Sequence, residues 1–291
     1  MPSVEFSNEY RNFRVDMTKP SVILMGSKPG SVVALSILLE RGWDVRAVVV
    51  SRKIVHPWIG GETLEQAALR HGLKVLTQPE LSRHQSADFV ISYMFRYRVK
   101  SDVIALAKRA ALNFHAGPLP EYGGWAFYNV AILENASEYG CTCHHMDDGF
   151  DTGPLLSVRR FPIDARVETG YSLERKAQQE MIRLFIDVCD LAESGDPLPA
   201  IEQDRSKMRY MTQEQFEALK EIPAGADDET AQRIARAFWY PPYECAYMKV
   251  GGVKAEVVPA IAKEQLATLL HRDDLQALQA VARDAGCRFA L

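Results

Sequence analysis

Short apolar runs and longer stretches of helical spacing alternate through the first 165 residues of the chain. Ser21 to Met25 (SVILM) runs into Gly26-Ser27-Lys28-Pro29-Gly30, and a helical pattern follows from Ser31, a fitting N-cap, to Leu39. That is strand, glycine-bearing turn, helix. The spacing then predicts a strand over Trp43–Val50, a helix over Glu62–His71 and strands over Leu73–Leu76 and Ala87–Ser92. A helix over Val103–Lys108 comes next. Ala111-Leu112-Asn113-Phe114-His115 alternates as the end of a strand, with Asn113 and His115 on one side. Gly117-Pro118 and Pro120 force an irregular loop, and Gly123-Gly124 lets the backbone pass close to something before a helix starts. Strands over Gly140–Met146 and Ser157–Ile163 complete the series. Such alternation implies an α/β fold with a doubly wound, mostly parallel, Rossmann-like sheet. Sites in such sheets lie at the carboxyl ends of the strands, where Asn113, His115 and Tyr93–Arg96 all fall.

Thr169 to Leu191 is a long amphipathic pattern, with Leu173, Ala177, Met181, Leu184, Phe185, Val188 and Leu191 on one face. Gly195 to Pro199 ends it, and a domain boundary is expected near Asp204, closing a catalytic domain over 21–204. Residues 205–291 differ in kind and predict a small α+β domain. Its helices are Thr212–Glu221, with capping-box spacing from Thr212 to Gln215, then Asp228–Ala237, Lys263–Leu270 and Asp274–Asp284. Ala246–Val250 and Val253–Val258, joined by Gly251-Gly252, read as a hairpin. The aromatics Phe238, Trp239, Tyr240, Tyr243 and Tyr247 fit either a stacking platform for a base or sugar or the core of a small domain.

A length of 291 residues suffices for a large domain and a smaller one, each with its own core. The net charge of −4 argues against a general nucleic-acid binder, which would show a basic face. The first twenty residues carry no apolar signal run, and no segment approaches the length of a membrane span; residues 1–20 are expected to be an N-terminal extension of a cytoplasmic protein. Five cysteines are scattered along the chain. Cys141-Thr142-Cys143 beside His144-His145 raises a metal reading, yet no second ligand cluster has zinc spacing, so core thiols and no metal are expected.

The chemistry gathers between Ala110 and Pro154. An imidazole, a carboxamide and the carboxylate of Asp151-Thr152-Gly153, brought together at strand ends, suit the steadying of an oxyanion and the movement of a proton. Each motif alone is also compatible with a structural role. Tyr93 to Val99 (YMFRYRV) places three aromatics and two arginines between a strand and a helix.

The ordered combination of NFH, PLPEYGG and then DTG, 36 residues after the histidine, resembles the folate-dependent formyltransferases. The resemblance runs over roughly residues 20 to 165 and returns at Phe238-Trp239-Tyr240-Pro241-Pro242-Tyr243. It implies that Asn113, His115 and Asp151 form the active site, with 10-formyltetrahydrofolate as formyl donor and a primary amine as acceptor. It further implies that the pterin is held, largely by backbone groups, at Tyr97, Arg98 and Val99 and in a second loop of Asp147, Asp148, Gly149, Phe150 and Asp151. Within the family the NFH-x-x-PLPEY form, the DTG turn and FWYPPY look more like the amino-sugar N-formyltransferases, which implies a nucleotide-linked amino sugar as acceptor. Gly123 departs from the family, where an arginine is common. Residues 205–291 hold 12 Lys plus Arg against 12 Asp plus Glu, which argues against tight tRNA binding. Formylation of an amino acid such as hydroxyornithine, or of methionyl-tRNA, stays open. So does a non-catalytic folate-binding role. A formyltetrahydrofolate hydrolase is expected to carry an amino-terminal regulatory domain, which twenty residues do not supply. A homodimer is a further expectation.

Overall fold

Ser21–Gly26 (β1) is buried along its whole length because both of its faces are covered. The computed structural model describes residues 19–51, 61–81, 85–124, 127–271 and 274–287. The expected N-terminal extension lies outside them except for Lys19 and Pro20. After β1 the chain forms α1 (Pro29–Glu40), β2 (Asp44–Val50), α2 (Leu64–Arg70), β3 (Val75–Leu76) and β4 (Ala87–Tyr93). Next come α3 (Ser101–Ile104), β5 (Ala107–His115), β6 (Gly123–Gly124), α4 (Phe127–Leu133), β7 (Glu138–His145), β8 (Leu155–Pro162) and α5 (Gly170–Ser194). Among the described residues seven strands build one sheet in the order β3-β2-β1-β4-β5-β7-β8. Pairing is parallel from β3 through β5 and antiparallel at β5–β7 and β7–β8. The expected α/β, mostly parallel, Rossmann-like class is the one observed.

Two local expectations are corrected. The helix predicted over Val103–Lys108 stops at Ile104, and Ala107, Lys108 and Arg109 open β5. The Ala-Lys-Arg-Ala-Ala stretch has good helical propensity, but β4 needs a partner along its length; Ala87 pairs with Ala107 and Phe89 with Ala110. Tertiary pairing overrides a propensity of a few tenths of a kilocalorie per residue. Arg109 then lies with its guanidinium 4.7 Å from the centre of the Phe89 ring. The strand predicted from Leu73 is reduced to Val75–Leu76 at the sheet edge.

Helix α5 closes one face of the sheet with Leu173, Ala177, Met181, Leu184, Phe185 and Val188, while Leu191, near its end, is exposed. Thr169 caps it in a box with Ser172, and Gly195 ends it at a φ of 82°. At the centre, Phe185 meets Tyr93 edge-on at 5.7 Å and Phe114 at 5.0 Å. These rings underlie the ends of β4 and β5, so the packing that stabilises the sheet also fixes the strand ends that carry Asn113 and His115.

Beyond α5 the chain forms β9 (Tyr210–Met211), α6 (Gln213–Ala218), α7 (Asp228–Phe238), a hairpin of β10 (Ala246–Val250) and β11 (Val253–Val257), α8 (Ala262–His271) and α9 (Asp274–Asp284). Ile222, Ile234, Phe238, Ala246, Leu278 and Val281 share one apolar cluster with the α1 and α5 residues beside the sheet. Phe238 and Trp239 are buried, which answers the aromatic-cluster question for these two as core. Tyr240 reaches the first βα turn, where Lys28 Nζ donates to its hydroxyl at 3.0 Å and pairs with Glu174 at 3.1 Å.

Replacing Phe185 by alanine removes the ring that Tyr93 and Phe114 share. We expect a loss of about 3–5 kcal/mol of folding stability, the range for burying a cavity of this size. Urea unfolding measures it; a loss below about 1 kcal/mol would show that the core collapses without cost.

Candidate active site

The register between β5 and β7 assembles the site. Asn113 lies opposite His144, and His115 lies opposite Thr142. Residues directly opposite share a face, so these four side chains meet on one side of the antiparallel pair. Cys141 and Cys143 alternate onto the other side, where they are fully buried and burial pushes both thiols up. All five cysteines are free. Asn113 Nδ2 lies 3.0 Å from His144 Nε2, and His144 Nδ1 lies 2.8 Å from the carbonyl oxygen of His145. These contacts fit a His144 that donates through Nδ1 to the His145 carbonyl and turns Nε2 towards Asn113.

Two loops complete the arrangement. Thr142 pins the segment after β5 by donating to the Gly117 carbonyl at 2.8 Å and accepting from the Leu119 N–H at 3.0 Å. Tyr139 donates to the Ala116 carbonyl at 3.0 Å. The loop thereby returns the Tyr122 carbonyl to His115, 2.7 Å from Nε2. Phe127, at the start of α4, meets the His115 ring edge-on at 4.6 Å. Gly124, at a φ of 78°, donates its N–H to Asp151 Oδ2 at 3.0 Å. That is what Gly123-Gly124 approaches: the carboxylate of the DTG turn on one side and β9 on the other.

Asp151 sits between the two imidazoles, its Oδ1 3.6 Å from His115 Nδ1 and 3.7 Å from His144 Nε2. Its own φ is 56°, a left-handed conformation that aspartate tolerates better than most residues. Gln203 holds the turn by donating to the carbonyls of Asp151 at 2.8 Å and Gly153 at 2.7 Å. Burial alone would push the Asp151 carboxyl up. The His115 and His144 imidazoles and the Gly124 N–H outweigh it and hold the group well below the usual carboxylate range.

The structure therefore brings Asn113, His115 and Asp151 together. It adds His144, which the sequence reading weighed only as a metal ligand. Its signal was the alternation Thr142-x-His144 on a strand antiparallel to N-x-H. Among the described residues no group of three or more His, Cys, Asp or Glu side chains is gathered to hold a metal.

The two loops assigned to the pterin also converge. Ser101 donates to Asp148, and the Arg98 guanidinium lies 6.0 Å from the centre of the Phe150 ring. Gln78 fixes the first loop by donating to the Arg98 carbonyl at 3.0 Å and accepting from the Lys100 N–H at 3.0 Å. Asp147 organises the second, accepting from the Gly149 N–H at 2.9 Å and the Thr152 hydroxyl at 2.7 Å. Val99 is buried, while Tyr97 and Phe150 are exposed. Arg209 braces the loop around His115: it pairs with Glu134, and its Nε donates to the Glu121 carbonyl at 3.2 Å.

A doubly wound sheet with an Asn–His–Asp constellation at its carboxyl edge fits a folate-dependent formyltransferase family, and the comparisons with known proteins agree with it. The family model described as formyl transferase matches residues 58–189. A methionyl-tRNA formyltransferase of Lachnospira eligens is 30% identical over 207 residues, covering 65% of this chain and 63% of its own length. The chain thus spans less than two thirds of that relative. A GDP-perosamine N-formyltransferase of Brucella melitensis is 29% identical over 189 residues, covering 62% of this chain and 68% of its own. Among solved structures, an N-formyltransferase from Helicobacter canadensis in complex with folinic acid and dTDP-3-aminofucose superposes with a TM-score of 0.64. It is 21% identical and covers 80% of this chain and 85% of its own, a likeness of fold.

Two predictions follow from the geometry. A Cβ on Gly153 would lie 1.9 Å from the His145 carbonyl oxygen, so Gly153→Ala must displace the turn that carries Asp151. We expect turnover to fall about tenfold or more, since small displacements of a catalytic group cost that much; unchanged turnover would show the turn to be dispensable. The depressed Asp151 value means that its ionised form stabilises the fold above the unfolded carboxyl value of about 3.9, a contribution lost as pH falls through the folded value. The stability gap between the parent and Asp151→Asn should be constant above about pH 5 and shrink below about pH 4. Urea midpoints from pH 3 to 7 test this, and a gap that widens in acid reverses the assignment.

Proposed function

We propose that this protein is an N-formyltransferase that moves a formyl group from 10-formyltetrahydrofolate to the amine of a nucleotide-linked amino sugar. The observation that carries the reading is the convergence of Asn113, His115 and Asp151 at one edge of the sheet. In formyl transfer the acceptor nitrogen bonds to the formyl carbon and loses a proton. The bond from that carbon to the donor nitrogen breaks, and the donor nitrogen gains a proton. The carbonyl oxygen carries negative charge between the two events. One N–H of Asn113 faces His144, and its second N–H is left to donate to that oxygen, with the His115 imidazole as the neighbouring donor. Asp151, held ionised, orients His115 and supports a positive charge on it, or receives the acceptor's proton through water.

Tyr97, Arg98 and Val99, with Asp147, Asp148, Gly149, Phe150 and Asp151, are assigned to the folate. Their loops meet beside Asp151, and the Helicobacter canadensis structure carries a folate compound. The amino-sugar acceptor is supported by the GDP-perosamine and dTDP-3-aminofucose proteins and by the even charge of residues 205–291. Methionyl-tRNA is the second reading, favoured by the likeness to methionyl-tRNA formyltransferases.

Incubation with 10-formyltetrahydrofolate and a panel of amines, following the appearance of tetrahydrofolate, tests the reaction. We expect Asn113→Ala and His115→Ala each to cut turnover about a hundredfold or more while leaving the fold intact, because each removes a donor to the developing charge. Near-normal turnover in either variant removes the assignment. Calorimetry separates the acceptors: we expect heat from a dTDP-, UDP- or GDP-linked amino sugar at ordinary salt and weak, steeply salt-dependent binding of methionyl-tRNA. Tight tRNA binding with no sugar-nucleotide heat would overturn the sugar and leave formyl transfer standing.

A further inference from the structure

The segment after β5 is held in two halves by different parts of the chain. Its first half, 116–119, is fixed to β7 by Tyr139 and Thr142. Its second half, 120–124, lies against residues 209–211, which come from beyond the boundary expected near Asp204. Arg209 donates its backbone N–H to the Pro120 carbonyl at 3.4 Å, and Gly123 and Gly124 pair with Tyr210 and Met211. A Cβ on Gly123 would lie 3.3 Å from the Arg209 carbonyl oxygen, so the two backbones run in close contact. The Glu121 carboxylate is engaged by Arg160 at 3.1 Å.

One guanidinium fastens these segments. Arg209 Nε donates to the Glu121 carbonyl at 3.2 Å, Nη2 donates to Glu134 Oε2 at 3.0 Å, and Nη1 donates to Glu134 Oε1. The same guanidinium lies 5.1 Å from the centre of the Tyr122 ring, and the Tyr122 hydroxyl donates to Glu134 at 3.2 Å. Glu134 directly follows the last residue of α4, where a carboxylate faces the negative end of the helix dipole. Arg209 and Tyr122 compensate it there. The loop so clasped is the one that touches the catalytic groups. Its Tyr122 carbonyl lies 2.7 Å from His115 Nε2, and its Gly124 N–H donates to Asp151 at 3.0 Å. A carbonyl oxygen only accepts, so it keeps on Nε2 the proton that the imidazole offers to the formyl oxygen.

We propose that Arg209 and Glu134 are positioning residues for formyl transfer, acting on His115 and Asp151 through the loop that they clasp. The inference rests on the formyl-transfer reading above and deepens it: a segment beyond the expected domain boundary completes the geometry of the site. Both side chains are exposed, and exposed ion pairs contribute little to folding stability. Small displacements of a catalytic group, by contrast, cost an order of magnitude or more in rate. The clasp therefore acts on kcat, and hardly on stability or on KM.

Steady-state kinetics with 10-formyltetrahydrofolate and the amine the parent accepts, urea midpoints and proton–nitrogen NMR of the imidazoles test this. The variants are Arg209→Met, Arg209→Lys, Glu134→Gln and Arg209→Met/Glu134→Gln. We expect Arg209→Met to lower kcat about tenfold, with both KM values within about twofold of the parent's and the urea midpoint nearly unchanged. The double variant should be no slower than Arg209→Met, because both remove one clasp. Arg209→Lys keeps the ion pair and loses the fork, and should recover part of the rate. The His115 Nε2–H resonance, identified by its loss in His115→Ala, should be present in the parent and broaden in Arg209→Met. An unchanged kcat in Arg209→Met overturns the proposal. So does a loss confined to KM for the acceptor, which would make Arg209 a binding residue, and so do additive losses in the double variant. Absence of the resonance from the parent overturns the contact on which the proposal stands. A parent that formylates no amine, yet shows the resonance and its broadening in Arg209→Met, overturns the formyl-transfer reading and leaves the clasp on His115 standing.

Discussion

The antiparallel pairing of β5 with β7 is the constraint on which the site depends. A purely parallel sheet would have sent the chain away from the end of β5 through a crossover helix. Instead β7 runs back beside β5, so that Asn113 faces His144 and the turn after β7 emerges at the same edge as His115. The segment between the strands cannot wander, because Thr142 and Tyr139 hold it at Ala116, Gly117 and Leu119. Two loops that are 27 residues apart in the chain thereby meet at one carboxylate.

That carboxylate explains the local oddities. A largely buried anion is costly unless it is paired and hydrogen-bonded. Asp151 has two imidazoles and the Gly124 N–H beside it, and both its own backbone and that of Gly124 adopt a positive φ. The turn is then fixed from outside by Gln203. Polar groups arranged before a substrate arrives need little reorganisation when charge develops, which is the condition for electrostatic stabilisation of a transition state. The same packing explains why glycine is required at 153: the His145 carbonyl occupies the space a side chain would need.

Much of this was legible in the sequence, for identifiable reasons. Asn113, His115 and Asp151 stood out because they sit at strand ends in a fixed order, and the fold class because apolar runs and helical spacing alternate. What escaped depends on register or on long-range contact. His144 becomes a partner of Asn113 only when β7 pairs with β5 in one register, and a shift of one residue would have presented Cys143 instead. The helix expected over Val103–Lys108 failed because β4's need for a neighbour outweighed local propensity. The tie from Lys28 to Tyr240 and Glu174 joins positions far apart in sequence, and no local pattern signals it. In the two loops proposed to hold the pterin, Gln78 and Asp147 set the backbone, so the residue types along the loops said little about that role.

The same distinction bears on the acceptor. The segment after Asp204 carries Arg205, Lys207 and Arg209, yet Arg209 is committed to Glu134 and to the Glu121 carbonyl, where it braces the loop beside His115. Lys207 lies 3.7 Å from Asp204, and Arg205 is exposed. A polyanion bound by phosphate contacts needs many cations, since each neutralised phosphate contributes its own released counterion. A nucleoside diphosphate needs one or two, set at a fixed distance from the amine. With Arg209 spent internally and the charge of residues 205–291 balanced, the proposed sugar-nucleotide acceptor asks of this face only the one or two cations that remain, whereas the second reading, methionyl-tRNA, asks for many.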